Sequence, residues 1–276
     1  MQKQSFILKS VKSAKRELNT RLWRIISPDF IFYVISHERS GTHFLINTIL
    51  GNTFTKQKIC HIGEWFGPYD KSEDRFLHIN NSNSKWKELH RETSIVKSHC
   101  DRELFEAVYQ KAKVIYVLRD PRDTLTSWFH YLNRDEYYRN NPVVSDHRCK
   151  SFSEFLTRPI SPFLRYSYSL HGNFSNAAER WASHVSGWLD MPDTLVVRYE
   201  DVHQDYKSVL GQICEFLGLH PRRKTRSIGL HDAPSILPRK GIVGDWKNTF
   251  SASDEAFVQQ AVERAGIHWS SVTRSS

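Results

Sequence analysis

Four cysteines, Cys60, Cys100, Cys149 and Cys214, are too few and too scattered to form a disulfide scaffold in a chain of 276 residues. None makes a CxxC pair or stands near histidine at zinc spacing, which points to reduced thiols and a cytoplasmic setting. Glycine and proline, at 12 and 10 residues, are not enriched, so long disordered stretches are not expected. The most apolar run, Phe30–Ile35, is far short of the ~20 residues that cross a bilayer. The basic N-terminal segment leads into no apolar core of the kind a secretory signal needs. The chain holds no GxxxxGK[ST] loop, no acidic cluster suited to Mg²⁺, no internal repeat and no dividing linker. Metal-dependent chemistry is therefore not expected.

What is present suffices for a folded core, with 39% hydrophobic and 13% aromatic residues. The net charge is +9, but it is unevenly placed. Residues 1–24 carry Lys3, Lys9, Lys12, Lys15, Arg16, Arg21 and Arg24 against Glu17 alone, and the body is only mildly basic. A broad nucleic-acid face is not implied. Residues 1–27 form a basic arm, read as a solvated tail, with an amphipathic helix in peripheral contact with anionic lipid as the alternative.

Apolar runs alternate with helix-like runs. Strands are expected at Phe30–Ser36, Ser94–Lys97, Lys113–Leu118 and Thr194–Tyr199. Helices are expected at His43–Leu50, at Arg102–Lys111, from Asp120-Pro121 to about Tyr138, near 152–157 and 175–189, and at Val202–Leu217 and Asp254–Ala265. Asp120 suits a helix N-cap and Pro121 the first helical position. Residues 51–92 read as loop with one short helix at most, 220–250 as loop, and 139–174 as a mobile lid. The alternation predicts a single α/β domain over residues 28–270, with a central parallel sheet flanked by helices.

Three stretches bear on chemistry. In SHERSGTHFL (36–45), a buried strand, a glycine loop and a helix start make a P-loop-like anion cradle from backbone N–H groups, the Ser40 and Thr42 hydroxyls and the Arg39 fork. The same residues also suit an ordinary helix start. In YVLRDPRDTLTSWFH (116–130), Arg119 ends a strand and Ser127 lies about two turns into the next helix. Both suit one anionic group outside the carboxyl ends of the strands, unless Arg119 pairs with Asp120 or Asp123. In PRKGIVGDWKNTF (238–250), Arg239, Lys240 and Gly241 form a dense anion-binding triplet or a solvated turn.

Taken in order, the three stretches resemble the PAPS-dependent sulfotransferases, where PAPS is 3′-phosphoadenosine 5′-phosphosulfate. The resemblance runs from about residue 30 to 265. RSGT at 39–42 resembles the 5′-phosphosulfate loop, YVLRDPRDTLTSWFH the 3′-phosphate motif, and RKGIVGDWKN the C-terminal signature of the cytosolic branch. The resemblance implies that Ser40, Gly41, Thr42 and His43 hold the 5′-phosphate. Phe44 then stands where cytosolic members stack a Trp on adenine. Arg119 and Ser127 hold the 3′-phosphate, Arg239, Lys240 and Gly241 close over it, and Tyr199 lies near the nucleotide. Arg39 replaces the cytosolic Lys, as in the carbohydrate-sulfating Golgi branch, and stabilises the departing oxygen.

IVKSHC (95–100) is similar to the family's Lys-Thr-His, which makes His99 the general base and Lys97 the group that steadies the sulfonate in flight. The implied reaction is in-line sulfonate transfer from PAPS, with adenosine 3′,5′-bisphosphate as the second product and no metal. The acceptor is left open among small alcohols, phenols, glycans and lipids, with an amine giving a sulfamate. The family's KxxxTVxxxE dimer motif is not matched, because Lys247 is followed by Ser251-Ala252 and then Ala256. The rival readings are a P-loop-like nucleotide kinase and a non-catalytic nucleotide-binding module of the same fold.

Overall fold

Five parallel strands, in the sheet order Lys58–His61, Thr93–Ser98, Phe32–Ser36, Val114–Leu118 and Thr194–Arg198, form the centre of the molecule. The computed structural model describes residues 31–55, 58–61, 69–70, 75–76, 93–108, 113–134, 148–160, 174–228 and 240–274. The strands of this sheet are β1 (Phe32–Ser36), β2 (Lys58–His61), β5 (Thr93–Ser98), β6 (Val114–Leu118) and β7 (Thr194–Arg198). A separate antiparallel pair, β3 (Tyr69–Asp70) and β4 (Arg75–Phe76), lies between β2 and β5 in sequence. The parallel sheet matches the expectation. The basic arm, Arg239 and most of the 139–174 segment lie outside the described residues.

Both faces of the sheet are covered, as parallel strands require. Tyr33, Ile35, Val96, Val114, Tyr116 and Leu118 point to one face. They pack there on α3 (Pro121–Leu132), α4 (Phe152–Thr157), α5 (Ala177–Leu189) and α8 (Ala252–Arg264). Phe32, Val34, Ile95, Ile115, Val117 and Val197 point the other way. They pack on α1 (Thr42–Asn52), α6 (Tyr199–Gln204) and α7 (Tyr206–Leu217). Two short α-helices, α2 (Arg102–Val108) and α9 (Trp269–Val272), and a 3-10 turn at Asp245–Asn248 complete the set among the described residues. The alternation of side chains along each strand puts successive residues in opposite cores.

Local chemistry fixes several boundaries. Asp120 accepts a hydrogen bond from the Arg122 amide at 2.9 Å, with Pro121 behind it, and starts α3 as expected. That helix stops at Leu132 rather than near Tyr138. Asn133 caps it, with its side-chain amide donating to the Phe129 carbonyl at 2.9 Å. The single helix expected over Val202–Leu217 is two helices, and the strand before it ends at Arg198, because Tyr199 already belongs to α6. Asp205 makes the break, its carboxylate accepting from the Ser208 amide at 3.1 Å as the N-cap of α7. The 51–92 stretch, expected to be loop, supplies the edge strand β2. Its four residues, KICH, are too short and too polar at both ends for a period to show.

Candidate functional site

Three of the parallel strands, β1, β5 and β6, end at the same edge of the sheet, and the residues just beyond their carboxyl ends converge there. The first loop leaves β1 at Ser36 and enters α1 at Thr42. Two residues in it take left-handed backbone, Arg39 at φ 65° and Gly41 at φ 92°. Gly41 is the N-cap of α1, and no side chain caps that helix, so its first N–H groups face the loop. A Cβ at Gly41 would stand 2.3 Å from the Tyr199 ring, so glycine is required both for φ and for space. Thr42 Oγ1 lies 2.5 Å from Ser36 Oγ, which fixes the hydroxyl at the floor of the loop. Ser40 is buried, and its amide donates to the His37 carbonyl.

Arg119 follows β6 and ties the site together. Its Nη1 donates to the Arg39 carbonyl at 3.2 Å and its Nη2 to the Ile242 carbonyl at 3.1 Å. Its guanidinium lies 4.3 Å from the centre of the Tyr199 ring, and its Nε is buried with no hydrogen-bond partner. The surface ion pairs weighed for Arg119 are taken by other groups. Asp120 pairs with Arg122 at 2.8 Å, and Asp123 accepts the amides of Gly244 and Trp246 at 2.7 and 3.0 Å. Those two bonds sew the C-terminal loop to the first turn of α3. In the same loop Gly241 is left-handed at φ 64°, and Lys240 pairs with Asp245 at 3.1 Å. Ser127 is buried on α3. Phe44 meets Tyr199 edge-on at 5.6 Å and stacks on His203 at 4.5 Å, so His203 is a site residue that the sequence did not announce.

Lys97 and His99 stand at the end of β5. The His99 Nδ1 lies 2.7 Å from the Ser36 carbonyl oxygen. A carbonyl only accepts, so Nδ1 carries the proton and Nε2 keeps its lone pair. Burial, then the neighbouring Lys97 charge, holds the His99 pKa well below the ordinary histidine value. Burial likewise lowers the Lys97 ammonium to about 8, opposed by the charge of Glu38 and assisted by that of Arg39. Arg39 lies over the Tyr131 ring at 4.7 Å. The loop residues His37 and Glu38 are themselves buried, facing Arg180 and His184 on α5. Sequence reasoning missed this second layer. Its one visible trace is Arg180 and His184, four apart on a helix face otherwise made of Ala177, Trp181, Val185 and Trp188.

The site thus unites Arg39, Ser40, Gly41, Thr42, His43, Phe44, Lys97, His99, Arg119 and Tyr199 around one strand edge, with Lys240 and Gly241 in the loop that Arg119 holds. Among the described residues, no group of three or more His, Cys, Asp or Glu is placed to hold a metal ion. No helix of the described residues is long and apolar enough to cross a membrane.

Known proteins share the sequence pattern and the fold of this chain. Residues 29–268 match the model of the Sulfotransferase domain. The chain is 30% identical over 192 residues to the 3-alpha-hydroxysteroid sulfotransferase of Cavia porcellus, covering 59% of this chain and 60% of that protein. It is 28% identical over 266 residues to Sulfotransferase 2A6 of Mus musculus, covering 85% and 84%. The chain therefore spans only about three fifths of the first relative. A solved mouse sulfotransferase complexed with PAP superposes with a TM-score of 0.54 at 22% identity, over 87% of this chain and 84% of that one.

Proposed function

The chain belongs to the sulfotransferase domain family, and from that premise we propose that it transfers the sulfonate of PAPS to a hydroxyl of a small acceptor. One observation carries the reading. Arg119 bonds the backbone of both the first loop and the C-terminal loop, so three stretches distant in sequence share one cation at the strand edge. The residues fit the nucleotide. The orphaned Arg119 Nε is a buried donor, Gly41 leaves room where a Cβ would clash, and the open start of α1 suits an anion.

In this reading Arg119 and Ser127 hold the 3′-phosphate, with Arg239, Lys240 and Gly241 closing from the C-terminal loop. Phe44 and Tyr199 border the base, and His203, stacked on Phe44, extends that aromatic platform. Ser40, Gly41, Thr42 and His43 hold the 5′ group. PAPS would supply the activated sulfonate. His99 Nε2 takes the acceptor's proton as its oxygen attacks. The low pKa keeps this imidazole neutral and ready at neutral pH. The Ser36 carbonyl, bonded to Nδ1–H, then steadies the imidazolium. Lys97 and Arg39 place positive charge where it spreads over the sulfonate oxygens and the departing oxygen.

The hydroxysteroid named in the guinea-pig relative makes a steroid alcohol the first acceptor to try. Small phenols follow, and then amines, whose product would be a sulfamate. A reducing cytoplasm suits the free thiols of Cys100, Cys149 and Cys214.

The test is calorimetric titration with adenosine 3′,5′-bisphosphate beside adenosine 5′-phosphate, followed by transfer from PAPS to an acceptor panel. Binding that requires the 3′-phosphate, with turnover, supports the enzyme. Binding without turnover or PAPS hydrolysis favours a non-catalytic module. Equal affinity for the two nucleotides removes the proposal.

A further inference from the structure

Behind Lys97 and His99 lies a guanidinium that belongs to none of the three motifs. Arg180, on α5, is fully buried. Its Nη1 donates to Asp101 Oδ1, and its Nη2 donates to the His99 carbonyl at 3.4 Å. Nη2 also stands 3.6 Å from Glu38 Oε1. The Phe174 ring packs 5.3 Å away. One rigid planar group therefore touches the first loop at Glu38, and touches the backbone and the following carboxylate of the His99 loop. A neighbouring bond from the Trp188 indole to the Cys100 carbonyl, at 3.2 Å, anchors the same loop to the same helix.

Fold stability is a poor reason for this arrangement. Buried ion pairs are often no more stable than apolar residues of the same volume, because desolvation offsets attraction. Geometry is a better reason, since a forked donor with fixed partners admits few arrangements. The acids offset part of the positive charge. Glu38 and Asp101 face Arg180 and Lys97, while His37, His184 and His99 are held neutral by burial. His37 Nε2 lies 3.4 Å from Glu38 Oε2, and Tyr116 Oη bonds His184 Nδ1 at 2.8 Å.

We propose that Arg180 is a positioning residue for sulfonate transfer, which with Glu38 and Asp101 holds the Arg39 loop against the Lys97–His99 loop so that the three transfer groups converge. This rests on the sulfotransferase reading above. Arg180 touches neither the residues assigned to the 3′-phosphate nor the aromatic platform, so those nucleotide contacts stay in place and its effect falls mainly on transfer.

The experiment compares the wild type with Arg180→Met, Arg180→Lys, Glu38→Gln and the double variant Glu38→Gln/Arg180→Met. Calorimetry with adenosine 3′,5′-bisphosphate gives the affinity. Transfer from PAPS to a 3-hydroxysteroid, or to water where the steroid is not turned over, gives kcat and KM across pH.

Affinity and KM for PAPS stay within about threefold, while kcat falls about 100-fold in Arg180→Met and Glu38→Gln. Arg180→Lys keeps the charge but loses the fork, and recovers no more than about tenfold of the loss. Glu38→Gln carries a further signature. In the wild type the alkaline limb of kcat/KM should follow loss of the Lys97 proton, which burial brings down to about 8. The Glu38 charge favours the protonated ammonium, so removing it moves that limb to lower pH.

A folded Arg180→Met with kcat within about threefold of wild type overturns the proposal, as does a parallel loss of affinity and kcat. If Arg180→Met does not fold, Glu38→Gln with wild-type kcat and an unmoved limb overturns it alone. A wild type that binds no bisphosphate overturns the nucleotide reading, and this inference with it. A wild type that binds it beside unimpaired variants overturns the strut only.

Discussion

At the proposed nucleotide end of the site, Arg119 lies over the Tyr199 ring and donates to two backbone carbonyls. At the transfer end, Arg180 and Lys97 share a buried space with Glu38 and Asp101. Two backbone carbonyls orient the first cation, and Asp123 and Glu200 act on it only through space, so in the proposed reading it can still meet a phosphate. Acids offset much of the charge of the second pair, which fixes the geometry in which Lys97 and Arg39 are presented. One end is built to attract, and the other is built to hold still.

The largest effect is expected from His99→Ala. It should lower kcat about 100- to 10,000-fold and leave bisphosphate affinity within a few fold, because in the proposed mechanism the imidazole serves only the proton. Next comes Arg119→Ala, which should weaken the bisphosphate about 100-fold or more and adenosine 5′-phosphate little. If the two nucleotides lose affinity equally, Arg119 only braces the loops and the contrast between the two ends collapses. Gly41→Ala should lower affinity about tenfold and also lower the unfolding midpoint, because it forces both φ 92° and the Tyr199 contact.

The smallest effect is on stability against pH. Burial holds His37, His99 and His184 well below 6.5, so the unfolded chain binds protons near that value and the folded chain does not. Their contribution is present above about 6.5 and is lost as pH falls, at about 1 kcal/mol per histidine for each pH unit. Denaturant unfolding between pH 7 and 5 measures this slope, and His184→Asn should reduce it by about a third. An unchanged slope would mean that the transfer end is wetter than its packing indicates.

The nucleotide end was legible in the sequence because each part of it is local. A strand end, a glycine at a positive φ and an Asp-Pro helix start leave their marks within a few residues, and Ser36, Gly41, Arg119 and Asp120 stand where those marks put them. The transfer end was legible only in Lys97 and His99. Its supporting layer joins Glu38, Asp101 and Arg180, positions separated by tens of residues with no motif between them. An arginine on an apolar helix stripe reads as an exception until its partners are known. The missed strand β2 and the break at Asp205 failed for different reasons. KICH is too short to show a period, and a polar Asp within a helical run looks like any exposed position.

The two hydrogen bonds from Gly244 and Trp246 to Asp123 set a schedule as well as a shape. The first loop leaves the ribosome about 200 residues before the loop that Arg119 ties it to, a delay of roughly 10–40 s at ordinary synthesis rates. Through that interval the nascent chain holds only part of the strand-edge site, so that site is completed late in the life of the polypeptide.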